Sequence, residues 1–354
     1  MKILHIFKNT NKKFYKPYIE FINKNFILKD HKFMIEVYNN SVSIDKISNV
    51  EYIRKKDYFK LILKMYKADK IILHSLMSPR IMILLFLQPW FLKKCYWVVW
   101  GADLYYYKEP RMSLRKKIHE SMRKLVIKNM GNVCTLVKGD YDLAKKWYGV
   151  KGGYFKAAYV SDKGIKSRNK IISNLNYLSL KNDKVRVIVG NSATPTNNHI
   201  EVFNILKKFK DENIEIVCPL SYGDMKYAKR IKDYGYSLFK NKLISLDTFM
   251  DMEDYMLYLS KIDIGIFNNN RQQGMGNIFS MLHLGKKVYI RNDTTMWEEI
   301  IKYRQLVVFD IKEIEKMDFE RFKQLDTIIA KENMRKCKES SNSNHAKEIW
   351  TKIF

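Results

Sequence analysis

Short apolar runs alternate with longer amphipathic stretches along almost the whole chain. In the first half the runs predict strands over residues 2–7, 33–38, 70–74, 96–100, 133–137 and 154–159. Helical periodicity falls near 14–26, 57–66, 80–92, 111–130 and 141–148. Residues 160–183 (VSDKGIKSRNKIISNLNYLSLKND) lose the pattern and read as a polar connection. A second alternation begins at Val185, where VRVIVGN, IEIVCPL, KLISL, DIGIF, KKVYIRN and QLVVFD supply six strand candidates with helices between them. The tail from Lys331 is helical in pattern, with a polar break over 340–344. Brief apolar strands separated by helices argue for parallel sheets covered on both faces. The expected fold class is therefore α/β, with two doubly wound domains facing across a cleft. Their expected limits are 1–165 and 185–335, with a linker at 166–184 and a C-terminal helix at 336–354 packing back on the first domain. In such sheets ligands bind at the carboxyl ends of the strands.

Charge separates the two halves. Residues 1–182 hold 37 Lys+Arg against 13 Asp+Glu, whereas 183–354 hold 28 against 24, and the whole chain carries +28. A cationic half points to nucleic acid, an anionic membrane surface or a phosphate-bearing substrate. No zinc-finger, RNP or helix-turn-helix pattern marks that half, so a nucleic-acid partner is not expected. The run from Ile81 to Leu92 is too short to span a bilayer, which takes ~20 residues. It reads either as a core helix or as an interfacial one with Trp90, Tyr96 and Trp97 as amphipathic anchors. Cys95, Cys134, Cys218 and Cys337 lie far apart and form no Cys-x-x-Cys pair, which leaves buried thiols as the simplest reading. The start, MKILHIF, lacks the long apolar core of a signal peptide, and a cytoplasmic location is expected.

The densest chemistry lies at 263–277, DIGIFNNNRQQGMGN. A buried strand there runs into a polar loop and a helix beginning at Gly274. Free N–H groups at a helix start favour a phosphate, and the Arg271 guanidinium beside them can grip one bidentately. Gln272 and Gln273 share the loop. Gly190, Asn191 and Ser192 follow VRVIV, where a glycine permits close backbone approach and short polar side chains can donate to an anion. Asn197, Asn198 and His199 come next, the asparagines serving either as such donors or as caps of the following helix. Tyr222, after Pro219 and beside Gly223, either stacks on a base or packs a turn. Asp251, Glu253 and Asp254 fit the acidic first turn of a helix better than a metal cluster. Asp293 is placed to meet a sugar hydroxyl. In the first half, WVVWGADLYYYKEP offers Asp103 at a strand end among aromatics, either as a general base or as the cap of a turn. His74 ends a neighbouring strand as base, orienting partner or structural residue, and His5 is the weakest candidate.

Four blocks together, WGADLY (100–105), GNS with Asn198 and His199, Pro219 with Tyr222 and Gly223, and RQQGMG (271–276), resemble glycosyltransferase family 56 over roughly residues 1–310. That is the family of the bacterial transferase adding 4-acetamido-4,6-dideoxygalactose to a lipid-linked intermediate of enterobacterial common antigen. The resemblance implies the GT-B architecture of two Rossmann-like domains, acceptor on the first and nucleotide-sugar on the second. It also implies inversion at the anomeric carbon. By that resemblance Gly190, Asn191, Ser192, Asn198, His199, Arg271, Gln272, Gln273 and Gly274 line the donor site, with Asp103 across the cleft. The chain departs from the family pattern at 193–196, where ATPT replaces Gly-Asp-Arg-Ser. The expected reaction moves a deoxy-amino sugar from dTDP to a polyprenyl-diphosphate-linked saccharide, at the cytoplasmic face of the inner membrane. Asp103 is expected as base, with His74 in reserve. Arg271 and the helix start would balance the leaving diphosphate, so no divalent metal or other cofactor is expected. A basic nucleic-acid-binding protein and a sugar-nucleotide epimerase are the alternatives.

Overall fold

The computed structural model describes residues 1–8, 12–37, 47–110, 113–159, 162–174, 184–340 and 343–354. They form two compact units, Met1–Asp162 together with Ser343–Phe354, and Lys163–Asn342. The expectations for position 38, position 111 and the stretch 175–183 lie outside the described residues.

The first unit is built on seven parallel strands, β1 (Ile3–Lys8), β2 (His31–Glu36), β3 (Val50–Ile53), β4 (Lys70–His74), β5 (Cys95–Val98), β6 (Asn132–Thr135) and β7 (Gly153–Lys156), in the order 3-2-1-4-5-6-7. Alternation along each strand sorts side chains between two cores. Leu4 and Ile6 of β1 join one cluster with helices α2 (Tyr58–Lys67), α3 (Pro79–Leu87), α5 (Leu114–Lys128) and α6 (Lys138–Tyr148). Ile3 and Phe7 join the other, beneath α1 (Lys12–Asn25) and α15 (Ser343–Thr351). A single turn, α4 (Ala102–Tyr105), follows β5. The strand β3 was not expected. VEYI is an edge strand with partly exposed side chains, and solvation at an edge blurs the apolar signal. The expected helix over 80–92 divides because Pro89 cannot continue the ladder; α3 stops at Leu87 and a 3-10 turn runs Pro89–Lys94.

The second unit holds six parallel strands, β8 (Val185–Val189), β9 (Ile214–Pro219), β10 (Leu243–Leu246), β11 (Ile264–Phe267), β12 (Lys287–Ile290) and β13 (Phe309–Asp310), in the order 10-9-8-11-12-13. Before them, residues read as linker form the helix α7 (Asp162–Asn174), nearly all of it grouped with the second unit. Its interior isoleucines give it an apolar side that the flanking Lys, Ser and Asn obscure in sequence. The helices α8 (His199–Leu206), α9 (Met225–Phe239), α10 (Met252–Ser260) and α11 (Met275–His283) link the strands, and α12 (Thr295–Glu298), α13 (Phe319–Lys323) and α14 (Thr327–Ser340) complete the unit. The chain then passes to the first unit at Ser343 rather than at 336. Strands β8 and β11 are neighbours whose onward connections run to opposite sides of the sheet, the position where an open α/β sheet forms a crevice.

Candidate functional site

Three loops, those after β8, β9 and β11, meet at the carboxyl edge of the second sheet. Gly190 leaves β8 at φ +69° with its N–H donating to Ile266 O (2.9 Å), so it ties the ends of β8 and β11. A Cβ there would stand 2.6 Å from His199 Nε2 and 2.9 Å from Asn197 Oδ1, so only glycine fits. Asn197, fully buried, is the hub of the loop. Its Oδ1 accepts from Asn191 N (3.0 Å) and Asn269 Nδ2 (2.9 Å), while its Nδ2 donates to Ser192 O (3.0 Å) and Thr194 O (3.1 Å). Asn198 holds the N-cap position of α8 in a left-handed conformation, yet its side chain makes no cap bond and donates instead to Asn268 O (2.9 Å).

The RQQG loop joins the same network. Gln273 Nε2 donates to Asn191 Oδ1 and Ser192 Oγ (3.2 Å each), and its Oε1 accepts from Thr196 Oγ1 (2.6 Å). Asn191 Nδ2 in turn donates to the Tyr222 hydroxyl (3.1 Å), whose pKa burial raises. Gly274 caps α11 at φ +69°, its absent Cβ directed at the Asn191 amide. Arg271 Nη1 donates to Gln272 O (3.1 Å), and Gln272 is itself buried. The structure thus brings Gly190, Asn191, Ser192, Tyr222, Gln273 and Gly274 together, with Asn198, His199, Arg271 and Gln272 on the adjoining loops.

Within this network several buried polar atoms have no hydrogen-bond partner among the described residues, namely both side-chain polar atoms of Asn268, Asn269 Oδ1 and His199 Nε2. Native interiors pair nearly all such atoms. Burial holds the His199 imidazole down to about 4, hence neutral at pH 7, with Nδ1 lying 3.1 Å from the Tyr227 hydroxyl. Thr196, Asn268 and Asn269 were missed from sequence as members of the network. The Asn-Asn-Asn run after an apolar strand carried the signal, because three amides in one short turn exceed what the turn itself consumes.

In the first unit the expected base positions are structural. Asp103 is fully buried, with Oδ2 accepting from Leu76 N (2.9 Å) and Trp97 Nε1 (2.8 Å), and Oδ1 from Trp100 N (2.9 Å) and Leu104 N (3.1 Å). Both oxygens are spent on holding the ends of β4 and β5, so Asp103 is not placed to take a proton from an acceptor. The Arg123 guanidinium reinforces the same turn by donating to Leu76 O (2.8 Å) and to Asp103 O. His74 is also fully buried, under α1 and α15. Its Nε2 lies 3.2 Å from His5 Nδ1, and its Nδ1 contacts the Tyr159 hydroxyl. His5 Nε2 continues the chain to His31 Nδ1 at 3.0 Å. Burial pushes His74 and His5 well below the usual histidine range, so neither is a solvent-facing base. One carboxylate at this sheet's carboxyl edge does retain capacity. Glu36 ends β2 fully buried, its Oε1 accepting from the Tyr58 hydroxyl and lying 3.9 Å from Arg80 Nη1, while Oε2 has no partner among the described residues. Asp251 caps α10 through Asp254 N (2.9 Å). Asp293 is clamped bidentately by Arg291 (2.9 and 2.7 Å). Among the described residues no three His, Cys, Asp or Glu side chains gather as a metal site.

The sequence pattern of the family described as 4-alpha-L-fucosyltransferase, glycosyl transferase group 56, matches residues 2–338. The chain belongs to that family. Its GT-B fold recurs in solved structures at low identity. Anabaena Alr3699/HepE, solved with UDP and glucose, is 10% identical with a TM-score of 0.71, covering 100% of this chain and 99% of that one. A glycosyltransferase from Rickettsia africae is 13% identical with a TM-score of 0.66, covering 99% and 97%. WaaG, a glycosyltransferase involved in lipopolysaccharide biosynthesis, is 11% identical with a TM-score of 0.63, covering 100% and 98%. The group 56 protein is accordingly a sugar-transferring enzyme, a glycosyltransferase.

Proposed function

We propose that this group 56 glycosyltransferase moves a deoxy-amino sugar, 4-acetamido-4,6-dideoxygalactose or a close relative, from dTDP to a polyprenyl-diphosphate-linked saccharide, with inversion, in the synthesis of a bacterial surface polysaccharide. The observation that carries the donor assignment is the knot of loops around Asn197. It presents buried unpartnered amide and imidazole atoms beside the start of α11, at the switch point of the second sheet. A nucleotide-sugar would take up those donors and acceptors, and its diphosphate would meet the N-terminus of α11 and Arg271.

In the reaction the acceptor hydroxyl oxygen bonds to the anomeric carbon as the bond to the diphosphate oxygen breaks. The hydroxyl proton passes to a base, and the departing negative charge is balanced by Arg271 and the helix N-terminus. With that balance supplied by the chain, no divalent metal is needed. Glu36 is the further carboxylate to test for the base: it is as deeply buried as Asp103 and His74, but its Oε2 accepts no hydrogen bond from the described residues. The cationic first 182 residues, 37 Lys+Arg against 13 Asp+Glu, suit attachment to the acidic cytoplasmic leaflet, each surface cation adding ~1 kcal/mol.

Calorimetric titration with dTDP, UDP and GDP, wild type beside Arg271→Ala, tests the donor. Selective dTDP binding that the variant loses supports the reading. Preference for UDP keeps the transferase and changes the sugar, and silence with all three refutes the donor site.

A further inference from the structure

Helix α5 displays apolar side chains on the side turned away from its core. Its buried residues Glu120, Arg123, Val126 and Ile127 define the inner face. At 100° per residue, Leu114, Ile118 and Leu125 fall within an arc of ~40° on the opposite side. They are 72%, 54% and 53% exposed. The neighbouring α3, which packs on α5, repeats the arrangement. Ile83 and Leu87 are 41% and 66% exposed, and Trp90 in the following 3-10 turn is 53% exposed, at spacings of four and three. A helix that buries one side in its domain ordinarily leaves polar residues outermost. Here two adjacent helices do the reverse.

The charges around the stripes are of one sign. Over residues 79–94 and 114–128 the sole acidic residue is Glu120, and it is buried against Arg123. Arg115 flanks the apolar line of α5 on one side and Lys117, Lys124 and Lys128 on the other, and Lys93 follows Trp90. A second copy of the same face would meet it with like charge. A protein partner would need a matching acidic rim to face these lysines. An apolar strip edged by lysines, with a tryptophan at its margin, matches a layer of anionic headgroups over acyl chains. Among the described residues no helix is long and apolar enough to cross a membrane, so attachment here would be at the surface.

We propose that the outer face of α3 and α5 is a membrane-docking surface, seating Leu87, Trp90, Leu114, Ile118 and Leu125 among the headgroups of an anionic bilayer. The proposal rests on the membrane attachment proposed for the transferase and supplies its surface. Of the three aromatics offered as interfacial anchors, the structure leaves Trp90 exposed, buries Trp97 and half-buries Tyr96.

The test is flotation of the full chain with phosphatidylcholine vesicles, with and without phosphatidylglycerol. Wild type should float with the acidic vesicles, and Leu114→Ser/Ile118→Ser/Leu125→Ser and Leu87→Ser/Trp90→Ser should each lower partitioning at least tenfold. A charge-reversed Lys117→Glu/Lys124→Glu/Lys128→Glu chain should lose it to a similar extent. All three variants should keep the wild-type melting temperature and nucleotide affinity, because the altered side chains are exposed. Wild-type flotation unchanged in every variant overturns this surface and leaves membrane attachment standing. Absence of flotation by wild type overturns both, while nucleotide binding judges the transferase reading separately. Concentration-dependent dimers abolished by the serine variants, without vesicle binding, would give the face to a second copy and overturn the proposal.

Discussion

The Trp97 indole N–H donates to Asp103 Oδ2 at 2.8 Å, and neither residue is reached by solvent. That bond and the three backbone N–H groups on the same carboxylate fasten the turn after β5 to the end of β4. An amide at 103 keeps one accepting oxygen and turns an NH2 toward donors that have nowhere else to go. Each stranded buried donor costs about 1–3 kcal/mol. Asp103→Asn should therefore lower the stability of the first unit by ~2–4 kcal/mol in denaturant titration, while nucleotide titration stays at wild-type affinity. A variant that melts like wild type yet turns nothing over would return the base role to Asp103.

Gly190→Ala puts a methyl into a backbone at φ +69° and within 2.6 Å of His199 Nε2. The ring cannot swing away freely, because Nδ1 is held near Tyr227 and the residue is buried. Strain and displacement together should cost ~1–3 kcal/mol. Since the displaced groups, His199 and Asn197, belong to the proposed donor site, nucleotide affinity should fall at least tenfold in calorimetry. Gly149→Ala, also left-handed at φ +68° but with nothing within 4 Å of the new Cβ, serves as the control that loses stability without affinity.

Much of this arrangement is legible in the residues. The six apolar runs of the second half are the six strands of its sheet, since buried parallel strands have no polar face to interrupt them. The edge strand β3 escaped because its four-residue VEYI run is short and only partly buried, and the helix α7 because polar residues dominate it. In the proposed donor region Gly190, Asn191, Ser192 and Gln273 stand where glycine and amide patterning puts them. The hub role of Asn197 did not show, because a loop asparagine that anchors three segments has the same local sequence as one that caps a helix. Asp103 and His74 illustrate the opposite failure. A carboxylate or imidazole at a strand end is named by its chemistry, whereas its availability depends on partners brought from elsewhere, Leu76 and Trp97 for Asp103, and His5 and Tyr159 for His74.

The histidines predict an acid-side loss of stability. Burial lowers His31 and His283 to about 4, alongside His199, and holds His5 and His74 well below the usual value, with Asp30 opposing the shift at His31. In the unfolded chain these rings titrate near 6.5. Between about 6.5 and 4 the unfolded chain binds protons that the folded chain refuses, so stability falls as pH drops through that window and is level above it. The denaturant midpoint should hold from pH 8 to 7 and decline from 6.5 to 5, before carboxylates titrate. His31→Phe should flatten part of the decline. A midpoint independent of pH down to 5 would contradict the burial of these rings.

Trp350 completes the first unit from the far end of the chain. Its ring is fully buried against Tyr18 (5.1 Å between centroids) and Phe354 (5.3 Å), and its indole N–H donates to Ala158 O at 2.7 Å. Lys70 Nζ secures the last turn by donating to Ile353 O (2.7 Å) and Phe354 O (3.0 Å). This segment closes over His5 and His74, whose rings would otherwise meet water and recover their ordinary basicity. Trp350→Ala should cost ~3–5 kcal/mol in the first unit. A hydrated His74 would also protonate nearer 6.5 in the folded chain, so folded and unfolded states would take up that proton together. The expected profile is therefore a lower plateau with a flatter decline toward pH 5.5 than in wild type. Nucleotide affinity, which the proposed donor site places in the second unit, should survive. Should Trp350→Ala lower stability equally at pH 8 and pH 5.5, the helix serves as packing alone and does not shield the histidines.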